Sequence, residues 1–102
     1  MDEGLTVLVV DGEEQSRTRL LLCLRRLGMR ALGVDHTWDA IALTEALDAD
    51  VALVHNDDEA ALIARLRNKL PVVQLARDRP VDEVVVALLR ALGRPEEAAL
   101  IN

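Results

Sequence analysis

The sequence predicts one α/β domain built on a parallel four-stranded sheet, and three observations carry that reading. Four short apolar stretches, Thr6 to Val10, Arg30 to Val34, Val51 to Val54 and Val72 to Leu75, alternate with four segments of helical periodicity. That βαβαβαβα order implies right-handed crossovers and helices on both faces of the sheet. Two of the stretches, TVLVV and VALV, are continuously apolar rather than alternating, which is the pattern of strands covered on both faces. Polar groups then collect where strands end, Asp11 after the first and His55, Asn56, Asp57 and Asp58 after the third. In open α/β sheets that carboxyl edge is where ligands bind.

Each element has its own signals. The first helix, Glu13 to Leu27, places Leu20, Cys23, Leu24 and Leu27 on one face. Glu13 and Glu14 open it, Arg25 and Arg26 close it in keeping with the helix dipole, and Gly28 is the stop. Leu21 and Leu22 fall off the inward face, so they are either a partner-facing surface or scattered exposed leucines. Arg30 to Val34, interrupted by Gly33, reads as an edge strand. Thr37 is the expected N-cap of a helix from Trp38 to Leu47, with Ala40, Leu43, Ala46 and Leu47 along its stripe.

Asp50 leads into the third strand, and a third helix fits from about Asp57 to Leu70, with Leu62, Ile63, Leu66 and Leu70 facing inward. Pro71 begins the fourth strand. The last helix, Val81 to Leu92, is opened by Pro80, Asp82 and Glu83 and closed before Gly93. Its consecutive valines would also suit a strand, but Val84, Val85, Leu88 and Leu92 keep helical spacing. The domain is expected to span 1–94 and a C-terminal tail 95–102, helical or disordered from Glu96.

At 102 residues the chain buries roughly two-thirds of its unfolded surface, enough for one core. With 51% hydrophobic and 29% charged residues it is a folded aliphatic domain rather than a disordered one. A net charge of −6, with one Trp and no Phe or Tyr, speaks against nucleic acid, which draws on clustered cations and stacking rings. No apolar run approaches the ~20 residues that span a bilayer, and the first residues lack a secretory pattern. A lone Cys23 cannot form an internal disulfide and reads as a small core residue. The expectation is a cytoplasmic protein that binds neither membrane nor nucleic acid.

Four motifs, in order, resemble the receiver domain of response regulators, the CheY-like or flavodoxin-like fold of two-component signal transduction. VLVVDGEEQSRTRLLLCLRRLG at Val7 to Gly28 is similar to the family's opening VLVVDDE strand and first helix. DADVALVH at Asp48 to His55 resembles its third strand, and LPVVQLA at Leu70 to Ala76 its fourth. RPVDEVVVALLRALGR at Arg79 to Arg94 resembles its lysine-proline turn and last helix. The resemblance implies sheet order 2-1-3-4, with the first and last helices on one face and the middle two on the other. Only Arg77 and Asp78 separate the last two motifs, so the family's fourth helix and fifth strand are expected to be missing.

The chemistry the resemblance implies is phosphoryl transfer from a histidine kinase to an aspartate, assisted by Mg2+. It needs a carboxylate nucleophile, two acids for the hard cation, and a Lys and a hydroxyl for the phosphoryl oxygens. Carried over position by position, the first acid is Asp11, the second position is Gly12, the acceptor is His55, the hydroxyl position is Ala76 and the lysine position is Arg79. Only Asp11 is unchanged. A register slip of two would put Asp57 at the acceptor position with side-chain direction preserved.

The expected function is therefore a pseudo-receiver, a non-enzymatic protein-interaction module without cofactor. The alternatives are a phosphorylatable receiver using Asp57 with Mg2+, and a small-ligand binder or enzyme at the carboxyl edge. Any metal would fall to Asp11 and Glu13, although Asp11 reads equally well as a helix cap, Glu13 and Glu14 as solvated acids, and His55 as locally hydrogen-bonded. Without a fifth strand the fourth becomes an edge, where Pro71 removes one donor and Val72, Val73 and Leu75 invite a partner. A homodimer through this edge or the last helix is expected, alongside a protein partner of a signalling pathway. The competing expectation is a monomer whose tail covers the edge.

Overall fold

A computed structural model describes residues 5–55, 59–76 and 79–93. The chain runs β1 (Thr6–Val10), α1 (Glu14–Arg26), β2 (Arg30–Val34), α2 (Thr37–Ala46), β3 (Val51–His55), α3 (Ala60–Arg67), β4 (Val72–Leu75) and α4 (Val81–Ala91). All strand pairs are parallel, in the order β2-β1-β3-β4. β1 and β3 are buried along their whole length, as their unbroken apolar character requires, because α-helices cover both faces of the sheet.

The period of two in a strand divides the core into two layers. Val7, Val9, Val51, Leu53 and Leu75 pack with Leu20 and Leu24 of α1 and Val84, Val85, Leu88 and Leu89 of α4. Leu8, Val10, Ala52 and Val54 pack with Ala40 and Ile41 of α2 and Leu62, Ile63 and Leu66 of α3. Asp11 and His55 continue the odd series, so both side chains belong to the α1–α4 side.

Two helices stop where glycine allows it. Gly28, at φ 89, follows α1; its N–H bonds the Arg25 carbonyl while the Met29 N–H bonds that of Leu24. These bonds satisfy carbonyls that the end of the helix leaves open. Gly93, at φ 74, follows α4 in the same way, its N–H on the Arg90 carbonyl. Asp50 ties two strands at their start: its carboxylate accepts from the Thr6 N–H at 2.7 Å, and its own N–H donates to the Thr6 carbonyl at 2.8 Å.

Several expectations need correction. The cap of α2 is His36, whose Nδ1 accepts from the Trp38 N–H at 3.1 Å, while Thr37 is the first helical residue and is buried. The inward stripe of α2 runs Thr37, Ala40 and Ile41, and Ala46 faces solvent; apolar residues are spread around the short helix instead of gathering on one face, so its sequence does not fix its rotation. Trp38 is exposed, with the Arg65 guanidinium 4.7 Å above its ring. α3 ends at Arg67 rather than Leu70, since the residue before Pro71 is pushed out of helical geometry. The expected start of that helix at Asp57 and the tail 95–102 lie outside the described residues.

Leu75 is fully buried and offers no side chain to a partner, and Leu21 is half-buried against the α1–α4 core. Pro71 does not blunt the open edge either. Its carbonyl accepts from the Ala52 N–H, and in a strand the N–H and C=O of one residue face the same way, so its missing donor faces β3. The backbone groups of Val72 and Gln74 point outward, away from β3. Leu24, fully buried where α1 meets the sheet, is expected to cost about 2–5 kcal/mol on change to Ala. Half-exposed Leu22 changed to Ala should cost within about 0.5 kcal/mol; urea unfolding midpoints of the two variants check the contrast.

Candidate functional site

β1 and β3 lie side by side with Val9 opposite Leu53, so two residues further on Asp11 stands opposite His55. The Asp11 N–H still bonds the Val34 carbonyl of β2 at 3.0 Å, which keeps the backbone extended and aims the carboxylate at its neighbour. His55 Nε2 lies 3.1 Å from Asp11 Oδ2, and the two side chains are 5% and 0% exposed. Asp11 Oδ1 accepts from the Glu13 N–H at 2.9 Å, and the Asp11 carbonyl accepts from Arg17 Nη1 at 2.8 Å. Asp11 therefore organises the turn into α1 from two residues ahead, while the cap position itself belongs to Glu13.

Burial acts to raise the Asp11 carboxyl, but it is outweighed. Hydrogen bonds from Ser16, the Glu13 backbone and His55, together with the His55 charge, hold it below the usual carboxylate range.

A small cavity of about 50 Å3 opens beside this pair, lined by Ser16, Arg19, Leu20, His55, Leu75, Ala76, Arg79, Val81 and Val84. It brings together three of the five sequence-derived pocket positions, His55, Ala76 and Arg79, with Asp11 directly behind His55. Gly12 is not among the lining residues: a Cβ there would meet only the Asp35 carbonyl, at 3.5 Å. Glu13 contributes its backbone and has an exposed side chain. Asp57 lies outside the described residues.

Sequence reasoning missed Ser16 and Arg19. The signal was present: the apolar stripe of α1 runs Leu20, Leu24, Leu27, and one turn earlier it continues onto Ser16. A polar residue on an inward stripe, next to a strand end, marks a site wall.

Mg2+, which the fold family implies, takes near-octahedral oxygen ligands. Among the described residues no three His, Cys, Asp or Glu side chains converge as a ligand set, and Asp11 has an imidazole against it where a second acid would serve a cation. The described donors therefore do not fit that ion. No helix among the described residues is long and apolar enough to cross a membrane.

No protein-family model matches the sequence, and no curated protein matches it. Solved structures do. A two-component response regulator from Clostridium difficile superposes with a TM-score of 0.77 at 15% identity, over 88% of this chain and 97% of that one. The receiver domain of an HD domain-containing protein from Pseudomonas fluorescens Pf-5 gives 0.66 at 17% identity, over 97% and 94%. The receiver domain of a modulated diguanylate cyclase from Desulfovibrio desulfuricans G20, described as an example of alternate folding, gives 0.65 at 25% identity, over 94% of each chain. The chain thus has the CheY-like receiver fold.

The depressed Asp11 carboxyl makes stability depend on acid. Its folded value lies below its unfolded value, so the contribution is complete above about pH 4 and is lost as pH falls through the folded value. Asp11→Asn is expected to be less stable at pH 7 by about 1–3 kcal/mol and to decline less steeply than the parent below about pH 4. Urea midpoints taken across that range measure both effects.

Proposed function

We propose that this domain is a pseudo-receiver: it keeps the scaffold of two-component signalling and acts by binding proteins, without enzymatic activity or phosphorylation of an aspartate. The observation that carries the reading is the engagement of Asp11. Aspartyl phosphorylation requires a nucleophilic carboxylate at the end of β3 and a cation held by the acids of β1. Here His55 ends β3, and Asp11 is met by that imidazole, the Glu13 N–H and Ser16. An acid already compensated by a side chain has little to gain from a metal ion.

The module assembles as a homodimer through β4. α4 buries Val84, Val85, Val86, Leu88 and Leu89 and exposes Asp82, Glu83, Arg90 and Ala91, so its apolar residues are already committed to the core. Among the described residues β4 pairs only with β3, and the outward groups of Val72 and Gln74 lie beside half-buried Val72 and Val73. Two such edges related by a twofold axis would complete each other's hydrogen bonds. Half-exposed Leu22 on α1, flanked by Arg19 and Arg26 in a shallow groove, is the surface for a different, signalling partner. The acidic net charge supports a role apart from nucleic acid.

Incubation with acetyl phosphate and Mg2+ is expected to leave the chain unmodified by mass spectrometry, with Asp57→Ala indistinguishable from the parent; a mass gain abolished by that substitution sinks the reading. Light scattering at several concentrations is expected to give twice the chain mass, falling to the single-chain mass in Gln74→Pro with an unchanged circular dichroism spectrum. A parent that stays monomeric at every concentration removes the dimer.

A further inference from the structure

The sheet has two margins, β4 at one side and β2 at the other, and the rest of the chain treats them differently. On β2, the Arg30 N–H donates to the Leu5 carbonyl and the Val34 carbonyl accepts from the Asp11 N–H. Those two residues face β1, so by the alternation of a strand Ala31 and Gly33 turn their N–H and C=O groups outward. Such a row is a template for another strand. Leu32, 38% exposed at the same margin, adds apolar surface to it.

One ridge of α1 lies along this margin. Arg17, Leu21 and Arg25 follow one another at intervals of four and so share a helix face. Arg25 Nη2 donates to the Ala31 carbonyl at 2.7 Å. Over Gly33 the ridge comes so near that a Cβ there would stand 2.9 Å from Leu21 Cδ1 and 3.0 Å from Arg17 Cδ. Arg17 continues past that point to the Asp11 carbonyl, at 2.8 Å. Glycine at 33 lets α1 settle on the strand, and the close approach holds Arg25 within reach of Ala31. Its guanidinium then occupies the place that an incoming strand's N–H would take. On the β4 margin the arginine bond among the described residues is of another kind: Arg67 Nη2, from α3, meets the Gln74 side chain at 2.9 Å rather than a backbone carbonyl.

We propose that Arg25 is a guard on the β2 margin: it bars the strand of a second copy from adding there and confines sheet pairing to β4. With both margins open, β4 of one copy could meet β2 of the next, and such a head-to-tail contact repeats without closing. With β2 guarded, assembly stops at a pair. The proposal rests on the reading of β4 as the dimer edge for the size at which assembly stops, and the guard is therefore tested with β4 both open and blocked.

The test is light scattering of the full chain across concentrations, with a circular dichroism spectrum of each variant. Arg25→Ala is expected to keep the parent's spectrum, because the side chain is exposed, and to rise in mass beyond two chains, reversibly on dilution. Arg26→Ala, which removes the same charge from the same last turn of α1, should hold the parent's mass. Arg25→Ala combined with Gln74→Pro leaves only β2 open and should stop at two chains. Exchange of the Ala31 and Gly33 amide hydrogens should then be slower by at least about tenfold than in Gln74→Pro alone, because they enter a new ladder. If Arg25→Ala loses its spectrum, Arg25→Gln takes its place in every arm. A guard variant that keeps its spectrum and the parent's mass at all concentrations overturns the guard and leaves the β4 dimer standing. Equal growth of Arg26→Ala also overturns it, since lost charge then suffices. A parent that stays single while Arg25→Ala pairs removes the β4 dimer and upholds the guard.

Discussion

The pairing of Asp11 with His55 is the constraint around which this end of the molecule is arranged. A carboxylate at 1% exposure has lost its water and needs compensation from the protein. It receives it from three directions: the imidazole across the β1–β3 pair, the N–H of Glu13 and the hydroxyl of Ser16. Those contacts hold the register of the two central strands at their ends and set the turn that launches α1. They also turn the carboxylate toward β3 and α1, so that Asp11 does not line the neighbouring cavity.

Two or three acids crowded at one sheet edge repel each other and call for a cation. One acid facing an imidazole does not. Here Gly12 has no side chain, and Asp11 faces the His55 imidazole at 3.1 Å.

Shortening the sheet has a separate consequence. With β4 at the margin, α4 still covers the α1 side, and Leu75 is drawn beneath it into the core. Among the described residues the edge carries the outward backbone groups of Val72 and Gln74, with the Gln74 side chain held by Arg67 Nη2 at 2.9 Å. An edge that presents hydrogen-bonding groups more than apolar bulk favours strand addition over helix docking.

Much of this was legible in the residues alone. Continuous apolar runs marked β1 and β3 as central, glycine at 28 and 93 marked two helix ends, and the alternation of elements implied a parallel sheet, because each signal is local and its physics acts over a few residues. Other features were not legible. The rotation of α2, with Ile41 inward and Ala46 outward, depends on what the helix packs against, since its own faces are nearly equivalent. The cap at His36 in place of Thr37, the burial of Leu75, and the inward-facing nitrogen of Pro71 each depend on a neighbour distant in sequence.

The site divides along the same line. Its positions at strand ends, Asp11 and His55, could be read from where apolar runs stop, whereas Ser16 and Arg19 reach it only because α1 lies across the sheet at a particular angle. The sequence by itself determined the elements, their order and the polar residues at their carboxyl ends, through periodicity and backbone preference. Only the tertiary structure decided that Asp11 is paired with His55 and that two arginines share one cavity, because distances between residues forty or more apart are set by packing rather than by any local rule.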